Sequence, residues 1–258
     1  MERALWAAAS GMNAQQTLTD TIANNIANAN TTAYKQSDVQ FQDMLYQTLK
    51  APGAPTEQAA IPAGKQMGTG VSTQSVSKIF TQGSLQKSGG PLDFAIEGKG
   101  FFEVTKPDGT SAYTRAGNFH IDSSGRVVTS AGNPVVGFPN IDPSATQISV
   151  SEDGTVSTTV DGTSQEAGRI ELVRFANPEG LESLGKNLYS ETQASGSPMR
   201  GSPGEDGYGT VAQHHLEGSN VEVVKEMVDM ISAQRAYEMN SKTIKTTSQM
   251  LQMISNLQ

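Results

Sequence analysis

Apolar positions recur with helical spacing at the two ends of the chain and with strand-like alternation between them. From residue 3, Leu5, Ala8, Met12, Gln15, Leu18, Ile22 and Ile26 follow one another at intervals of three and four, which places them along one stripe of a helix. The segment carries few charges and is rich in Ala, Asn, Gln and Thr. Asn and Thr are weak helix formers, so this helix has little stability of its own. Near the other end, Ser219 with Glu222 three residues later matches a capping box, and neither Pro nor Gly follows before Gln258. Val223, Met230, Tyr237, Ile244 and Leu251 recur every seven residues, flanked by Val224, Met227, Val228, Ile231 and Ile254. That is the spacing of a coiled-coil seam. Gln234, Ser241 and Ser248 occupy the companion positions, so the seam is narrow and partly polar. At 1.5 Å per residue the helix would run to about 55 Å.

Between the ends, Phe41, Met44, Leu45 and Leu49 predict a short helix that breaks at Pro52 and Gly53. Residues 51–70 then read as loop, with Pro52, Pro55 and Pro62. Short alternating runs at 94–97, 101–104, 126–129, 148–150, 156–160 and 170–175 read as strands, separated by Asp108-Gly109, Ser124-Gly125, Asp153-Gly154 and Asp161-Gly162. No helix-length crossover divides them, so the sheet is expected to be antiparallel. The expected fold is therefore mixed: long terminal α-helices forming a coiled-coil-like pair around a central antiparallel all-β domain. Residues 1–33 and 219–258 make the helical part, 75–194 the β domain, and 34–74 with 195–218 the connecting segments, one holding the short helix and an extended loop.

Composition narrows the function classes. Of 258 residues only 17% are charged, and 26 acidic against 18 basic side chains give a net charge of -8, which disfavours nucleic acid as a partner. Cysteine is absent, which removes disulfides, thiolate metal sites and a cysteine nucleophile. The apolar run at 4–9 is shorter than a signal-peptide core or a membrane span, so a soluble chain without a cleaved signal is expected. His214 and His215 are adjacent and would point to opposite faces of a strand, and His120 reads as an exposed strand position. Neither a zincin pattern nor a nucleophile elbow occurs, and the Gly68-Thr69-Gly70 and Gly98-Lys99-Gly100 pairs lack the rest of a phosphate-binding fingerprint. Tyr34-Lys35 reads as a turn ending the first helix, and Tyr237 as seam packing. No catalytic, metal or cofactor site is expected, and the chain is not read as an enzyme.

Two stretches are more specific. Ala23-Asn24-Asn25-Ile26-Ala27-Asn28-Ala29-Asn30-Thr31-Thr32-Ala33-Tyr34-Lys35 resembles the N-terminal signature of flagellar basal-body rod and hook proteins. Ser219-Asn220-Val221, Met227-Val228-Asp229-Met230-Ile231 and Gln234-Arg235-Ala236-Tyr237-Glu238-Met239-Asn240 resemble that family's C-terminal signature. In the middle, Leu45-Tyr46-Gln47-Thr48-Leu49, Gln82-Gly83-Ser84-Leu85 and Gly98-Lys99-Gly100-Phe101-Phe102 are similar to the distal-rod type. Ala33 stands where family members usually carry Gly, which argues against an obligatory left-handed backbone there.

The resemblance implies a structural subunit of the flagellar drive shaft that polymerises helically around an export channel and transmits torque to the hook. Implied partners are further copies of itself, proximal-rod proteins, the hook or hook–rod junction protein, surrounding ring proteins and the type III export apparatus. The implied location is the basal body, in the periplasm-spanning distal rod. Assembly residues carried over from the signatures and stripes are Leu5, Met12, Ile22, Asn24, Asn25, Ile26, Asn28, Tyr34, Val224, Met227, Val228, Ile231, Tyr237, Ile244, Leu251 and Ile254. Residues 51–67 are expected to be an inter-subunit spacer that stiffens the shaft. The alternatives are a hook or proximal-rod subunit, a cell-wall-acting enzyme with a carboxylate pair in its β domain, and a β-rich adhesin.

Overall fold

The computed structural model describes residues 2–50, 64–142, 144–145, 147–160 and 163–255. Among them are two long α-helices, α1 (Glu2–Ala27) and α2 (Val223–Ser255), with short strands between them whose pairings are all antiparallel. Terminal helices around a central antiparallel β region are thus present as the periodicity predicts. The chain forms two compact units, one from residues 1–27, 37–78 and 222–258, the other from 28–36 and 79–221.

In the first unit α1 and α2 run antiparallel. Asn25 Nδ2 donates to Glu226 Oε2 at 3.2 Å near one end, and Gly11 faces Asn240 further along. A Cβ on Gly11 would lie 2.8 Å from Asn240 Nδ2, so the Asn240 side chain packs over the glycine and would have to shift for a larger residue. The heptad of α2 turned toward α1 contains Glu226, Ala233, Asn240 and Thr247, of which Glu226, Ala233 and Thr247 are buried. Gln234, Ser241 and Ser248 are therefore not the companion positions. Small and polar side chains fill that heptad, and Val223, Tyr237 and Leu251 are left exposed.

The apolar spacing at 41–49 does not make a helix. Ser37–Asp43 is a strand paired with Val71–Lys78, and Gln47–Lys50 pairs with Lys65–Met67. The deciding pattern is Asp38-Val39-Gln40-Phe41-Gln42, a period-2 alternation with β-formers at the apolar places, which outweighs the i, i+3, i+4 coincidence of Phe41, Met44 and Leu45. Of the expected spacer, residues 51–63 lie outside the described residues and Lys65–Met67 forms that strand.

The second unit is built on a five-stranded sheet in the order Val135–Val136, Phe102–Thr105, Ser111–Thr114, Leu188–Ser190, Glu182–Gly185. Its alternation is buried on both faces. Phe102, Val104 and Ala112 join Phe94, Ile96, Phe119, Val156, Ile170, Leu172 and Val211 in one cluster, while Phe101, Tyr113, Val173, Phe175 and Tyr189 form another. Edge-to-face ring pairs tie each cluster, with Phe102 and Phe119 5.1 Å apart and Tyr113 and Phe175 4.8 Å apart. The Asp-Gly turns form as expected: Gly109 and Gly154 adopt φ of 79° and 81°, and the Asp108 and Asp153 carboxylates accept the backbone N–H of Thr110 and Thr155. The turn at 161–162 lies outside the described residues. His120 is exposed in the strand Phe119–Ile121.

Residues expected to be connectors instead complete this unit. Met199–Gly201 pairs with Leu172–Arg174, Thr210–Gln213 with Phe94–Glu97, and His215–Glu217 with Leu85–Lys87. Segment 195–218 hid its strands because Gly and Pro punctuate it, while Val211 and Glu217, its inward residues, are fully buried. The chain then stays extended at 219–221, where the Asn220 side chain accepts from Gln36 N at 2.7 Å and donates to Ile79 O at 2.8 Å. Ser219 Oγ accepts from Val221 N, and the first helical bond of α2 runs from Glu226 N to Glu222 O. The capping box expected from Ser219 and Glu222 does not form, because Asn220 holds the chain straight between them.

Candidate assembly surfaces

The outward face of α2 carries the apolar residues that the seam was expected to bury. Val224 is 73% exposed, Val228 56%, Met227 54% and Ile231 49%. Their spacing is i, i+3, i+4 and i+7, one continuous stripe on the side away from α1. Beyond Ile231 the same side bears Arg235, Glu238 and Lys242, so the apolar patch is confined to the first turns. Tyr237, Leu251 and Ile254 are also exposed, and Ile244 is half-buried. On the N-terminal side Ile22, Asn25 and Tyr34 are buried, Leu5, Met12, Ile26 and Asn28 are half-buried, and Asn24 is exposed. The sixteen expected assembly residues therefore fall into a group that packs within the chain and a group that faces outward.

The Asn-rich signature has a structural role that can be read atom by atom. Asn25 Nδ2 donates to Ser37 O at 2.9 Å and its Oδ1 accepts from Ser37 N at 2.9 Å, so the side chain imitates a strand partner for the ribbon that follows. In the second unit, Ala33 turns the chain with φ of 56° and donates its N–H to Glu217 O at 2.7 Å. The left-handed backbone whose necessity the change from Gly to Ala had put in question is present: the short bond to Glu217 and complete burial over-determine the turn. Replacing Ala33 by Val is expected to cost about 2–4 kcal/mol, since a β-branched residue in that conformation adds to overpacking. Ala33→Gly should stay within about 1 kcal/mol of the parent, because relief of backbone strain offsets a lost methyl and a freer unfolded chain. Urea unfolding of the two variants checks the contrast.

Next to that turn lies a buried ionic clasp that sequence reasoning missed. Lys35 Nζ donates to Glu217 Oε1 and to Thr81 O, both at 2.6 Å. Arg115 Nε donates to Glu217 Oε2 at 2.9 Å, and its Nη1 to Gly98 O and Gly100 O at 2.8 and 2.7 Å. The side chains of Lys35 and Glu217 are 0% exposed and that of Arg115 4%. Two cations thus share one carboxylate, and backbone carbonyls satisfy the surplus donors. Lys35 was visible only as part of a turn. The available signal for Glu217 was its place in an alternating run, His215-Leu216-Glu217, that ends in Gly218.

Burial pushes the Glu217 carboxyl up, but the Arg115 and Lys35 charges and their hydrogen bonds outweigh it and hold it below the usual carboxylate range. Burial, reinforced by Arg115, draws the Lys35 ammonium down against the pull of Glu217. Because Glu217 is a stronger acid folded than unfolded, its contribution is complete above the ordinary value of 4.5 and is lost as pH falls through its folded pKa. Unfolding free energies measured between pH 7 and pH 3 should fall on the acid side, and Glu217→Gln should flatten that slope.

A groove of about 430 Å³ in the first unit is lined by Arg3, Trp6, Ser10, Met44, Gln47 and Thr69, among others. Trp6 is 74% exposed and Leu45 91%. Among the described residues no helix is long and apolar enough to cross a membrane.

The sequence that builds these surfaces matches known family models in three segments. Residues 5–35 match the flagella basal body rod protein model, 95–158 the flagellar hook protein FlgE/F/G D1 domain, and 212–257 the flagellar basal body rod FlgEFG protein C-terminal model. The flagellar basal-body rod protein FlgG of Borreliella burgdorferi is 48% identical over 264 residues, covering 100% of this chain and 99% of the relative. The chain belongs to the flagellar basal-body rod protein family. The FlgG proteins of Buchnera aphidicola from Acyrthosiphon pisum and of Bacillus subtilis are 46% and 41% identical, each covering at least 98% of both sequences. Both terminal signatures of this rod protein fall inside the matched segments, and the clasp residues Lys35, Arg115 and Glu217 lie one in each of the three.

Proposed function

We propose that this flagellar rod protein is the repeating subunit of the distal rod, a structural element of the basal body that polymerises helically and transmits torque to the hook. The observation that carries the reading is the exposed stripe of Val224, Met227, Val228 and Ile231 in a chain matched end to end by rod relatives. An exposed apolar stripe on a helix is a surface awaiting a partner. In this reading α1 and α2 act as a coiled-coil-like pair forming the inner wall around an export channel. The two helices pack through small and polar residues, so the pair gains most of its apolar burial on assembly. A contact between unlike surfaces that does not close repeats as an open helix, the symmetry a shaft needs.

The same reading assigns the partners: other copies of the chain, the proximal-rod proteins below, the hook or hook–rod junction protein above, and ring proteins around the shaft. The subunit reaches its place across the periplasm through the flagellar export apparatus. The reading gives the buried Ile22, Asn25 and Tyr34 a part in packing within the chain and the exposed Val224, Met227, Val228 and Ile231 a part in inter-subunit contact. Sedimentation of the purified full chain at rising concentration tests the reading. Polymer should pellet above a threshold concentration, whereas a chain that stays monomeric at every concentration and salt would count against it.

A further inference from the structure

We propose that a groove in the β unit, lined by Lys99 and Arg174, docks an acidic peptide segment of a partner protein, with the carboxylate of an aspartate or glutamate on these cations and its apolar neighbours against Met199 and Pro178. The groove has a volume of about 560 Å³ and lies wholly within the second unit. The buried rings of Phe101 and Phe175 line it, and so does Met199, which is 41% exposed. Its charged lining residues are Lys99, Arg115 and Arg174, and no carboxylate lines it among the described residues.

The ion pairing of this unit singles out two of these cations. Arg115, Arg126, Arg169 and Arg200 each sit on a carboxylate, as do Lys35 and Lys106. Arg174 and Lys99 have no acidic partner among the described residues, although Glu97 stands close to Lys99 in sequence and the backbone of Asp206 bonds Arg174. Arg174 is nevertheless held in place. Its Nη1 donates to Asp206 O at 3.2 Å and to Gly207 O at 3.4 Å, and its Cζ lies 5.2 Å from the centre of the Tyr208 ring. Nε and Nη2 make no hydrogen bond among the described residues. That leaves free the edge of a guanidinium that takes a carboxylate through two parallel bonds.

Lys99 is presented by the Gly98-Lys99-Gly100 loop, in which both glycines adopt positive φ, 110° and 149°. Arg115 Nη1 ties the loop down by donating to Gly98 O and Gly100 O. The clasp on Glu217 therefore also fixes the backbone that carries Lys99, and a site ordered before its ligand arrives loses less entropy on binding.

A peptide fits this lining better than a polyanion does. Nucleic acid or polyphosphate is held by many basic contacts along its backbone, whereas here two unpaired cations adjoin aromatic and thioether surface. The net charge of -8 also repels a polyanion at long range. A carboxylate flanked by Leu, Met or an aromatic side chain satisfies both kinds of lining, and the flexible Met199 thioether adapts to the apolar neighbour. Lys99 and Arg174 lie outside the α2 stripe, so this inference does not rest on the polymer reading.

Panning short phage-displayed peptides against the immobilised full chain supplies the probes. Enriched peptides should carry Asp or Glu beside Leu, Met or an aromatic residue. Synthesised with a fluorophore and read by anisotropy, they should lose affinity on the order of tenfold when that acid is replaced by its amide. Lys99→Glu and Arg174→Gln should each cause a loss of similar size, while Lys87→Glu, at an exposed position of the same unit that does not line the groove, should cause none. Lys99 is exposed, so Lys99→Glu should melt with the parent and separates lost binding from lost fold. A panning that enriches no acid-bearing peptide, or peptides that bind the Lys99→Glu chain as tightly as the parent, would overturn the proposal. So would inorganic polyphosphate displacing the peptides and itself depending on Lys99, which would assign the groove to a polyanion. Loss of polymer in Lys99→Glu would make the occupant another copy of this chain and overturn the assignment to a different protein, whereas a parent chain that fails to polymerise would bear on the rod reading alone.

Discussion

Glu217→Ala should destabilise the β unit by about 3–5 kcal/mol, the cost of leaving two buried cations without their carboxylate. Lys35 and Arg115 would keep their backbone carbonyl partners and lose their only anion among the clasp bonds. Lys35→Met is expected to cost less, because it leaves Arg115 and Glu217 as a neutral pair. Glu103→Ala is the comparison: its partner Arg200 bonds it at 2.9 Å but is 56% exposed, so solvent takes over much of that interaction. The order of loss should therefore be Glu217→Ala first, with Lys35→Met and Glu103→Ala behind it. Far-ultraviolet circular dichroism in urea is the suitable measurement, because the single tryptophan, Trp6, belongs to the other unit. A Glu217→Ala midpoint within error of the parent would refute the clasp.

Ile231→Asp should abolish assembly with little effect on the folded chain. Ile231 is 49% exposed in the chain, so about half of the roughly 1.5–3 kcal/mol available from its burial is still to be gained on association. Asp forfeits that gain and adds the cost of desolvating a carboxylate. A combined loss of about 2 kcal/mol per subunit raises the concentration needed for polymer roughly thirtyfold. Lys242→Asp lies on the same side of α2 but past the apolar turns, and should be milder. Sedimentation reads the polymer and thermal unfolding reads the monomer. A melting temperature that falls in step with assembly would contradict the separation of inner and outer faces of α2.

The ends of the fold were legible from periodicity, because an amphipathic helix and a C-terminal run free of Pro and Gly repeat over many residues. The orientation of α2 was not. Heptad counting identified Met230 and Ile244 but assigned their companions to Gln234, Ser241 and Ser248, when the face turned inward carries Ala233, Asn240 and Thr247, with the Asn240 side chain packed over Gly11. Large apolar residues were read as buried, whereas α2 keeps small and polar ones inside and shows the large ones outward. The ribbon at 37–50 was misread because four apolar residues happened to fit helical spacing. The clasp could not be foreseen, since its three charges are separated by up to 182 residues between Lys35 and Glu217 and meet only in the folded unit.

The most direct test of the central claim is a helical reconstruction, by electron microscopy, of polymer grown from the purified full chain. The account predicts an open-ended helical assembly in which Val224, Val228 and Ile231 are covered by a neighbouring copy and the paired helices line a central channel. A closed ring, or a polymer held through the β units with that face of α2 still open to solvent, would contradict it.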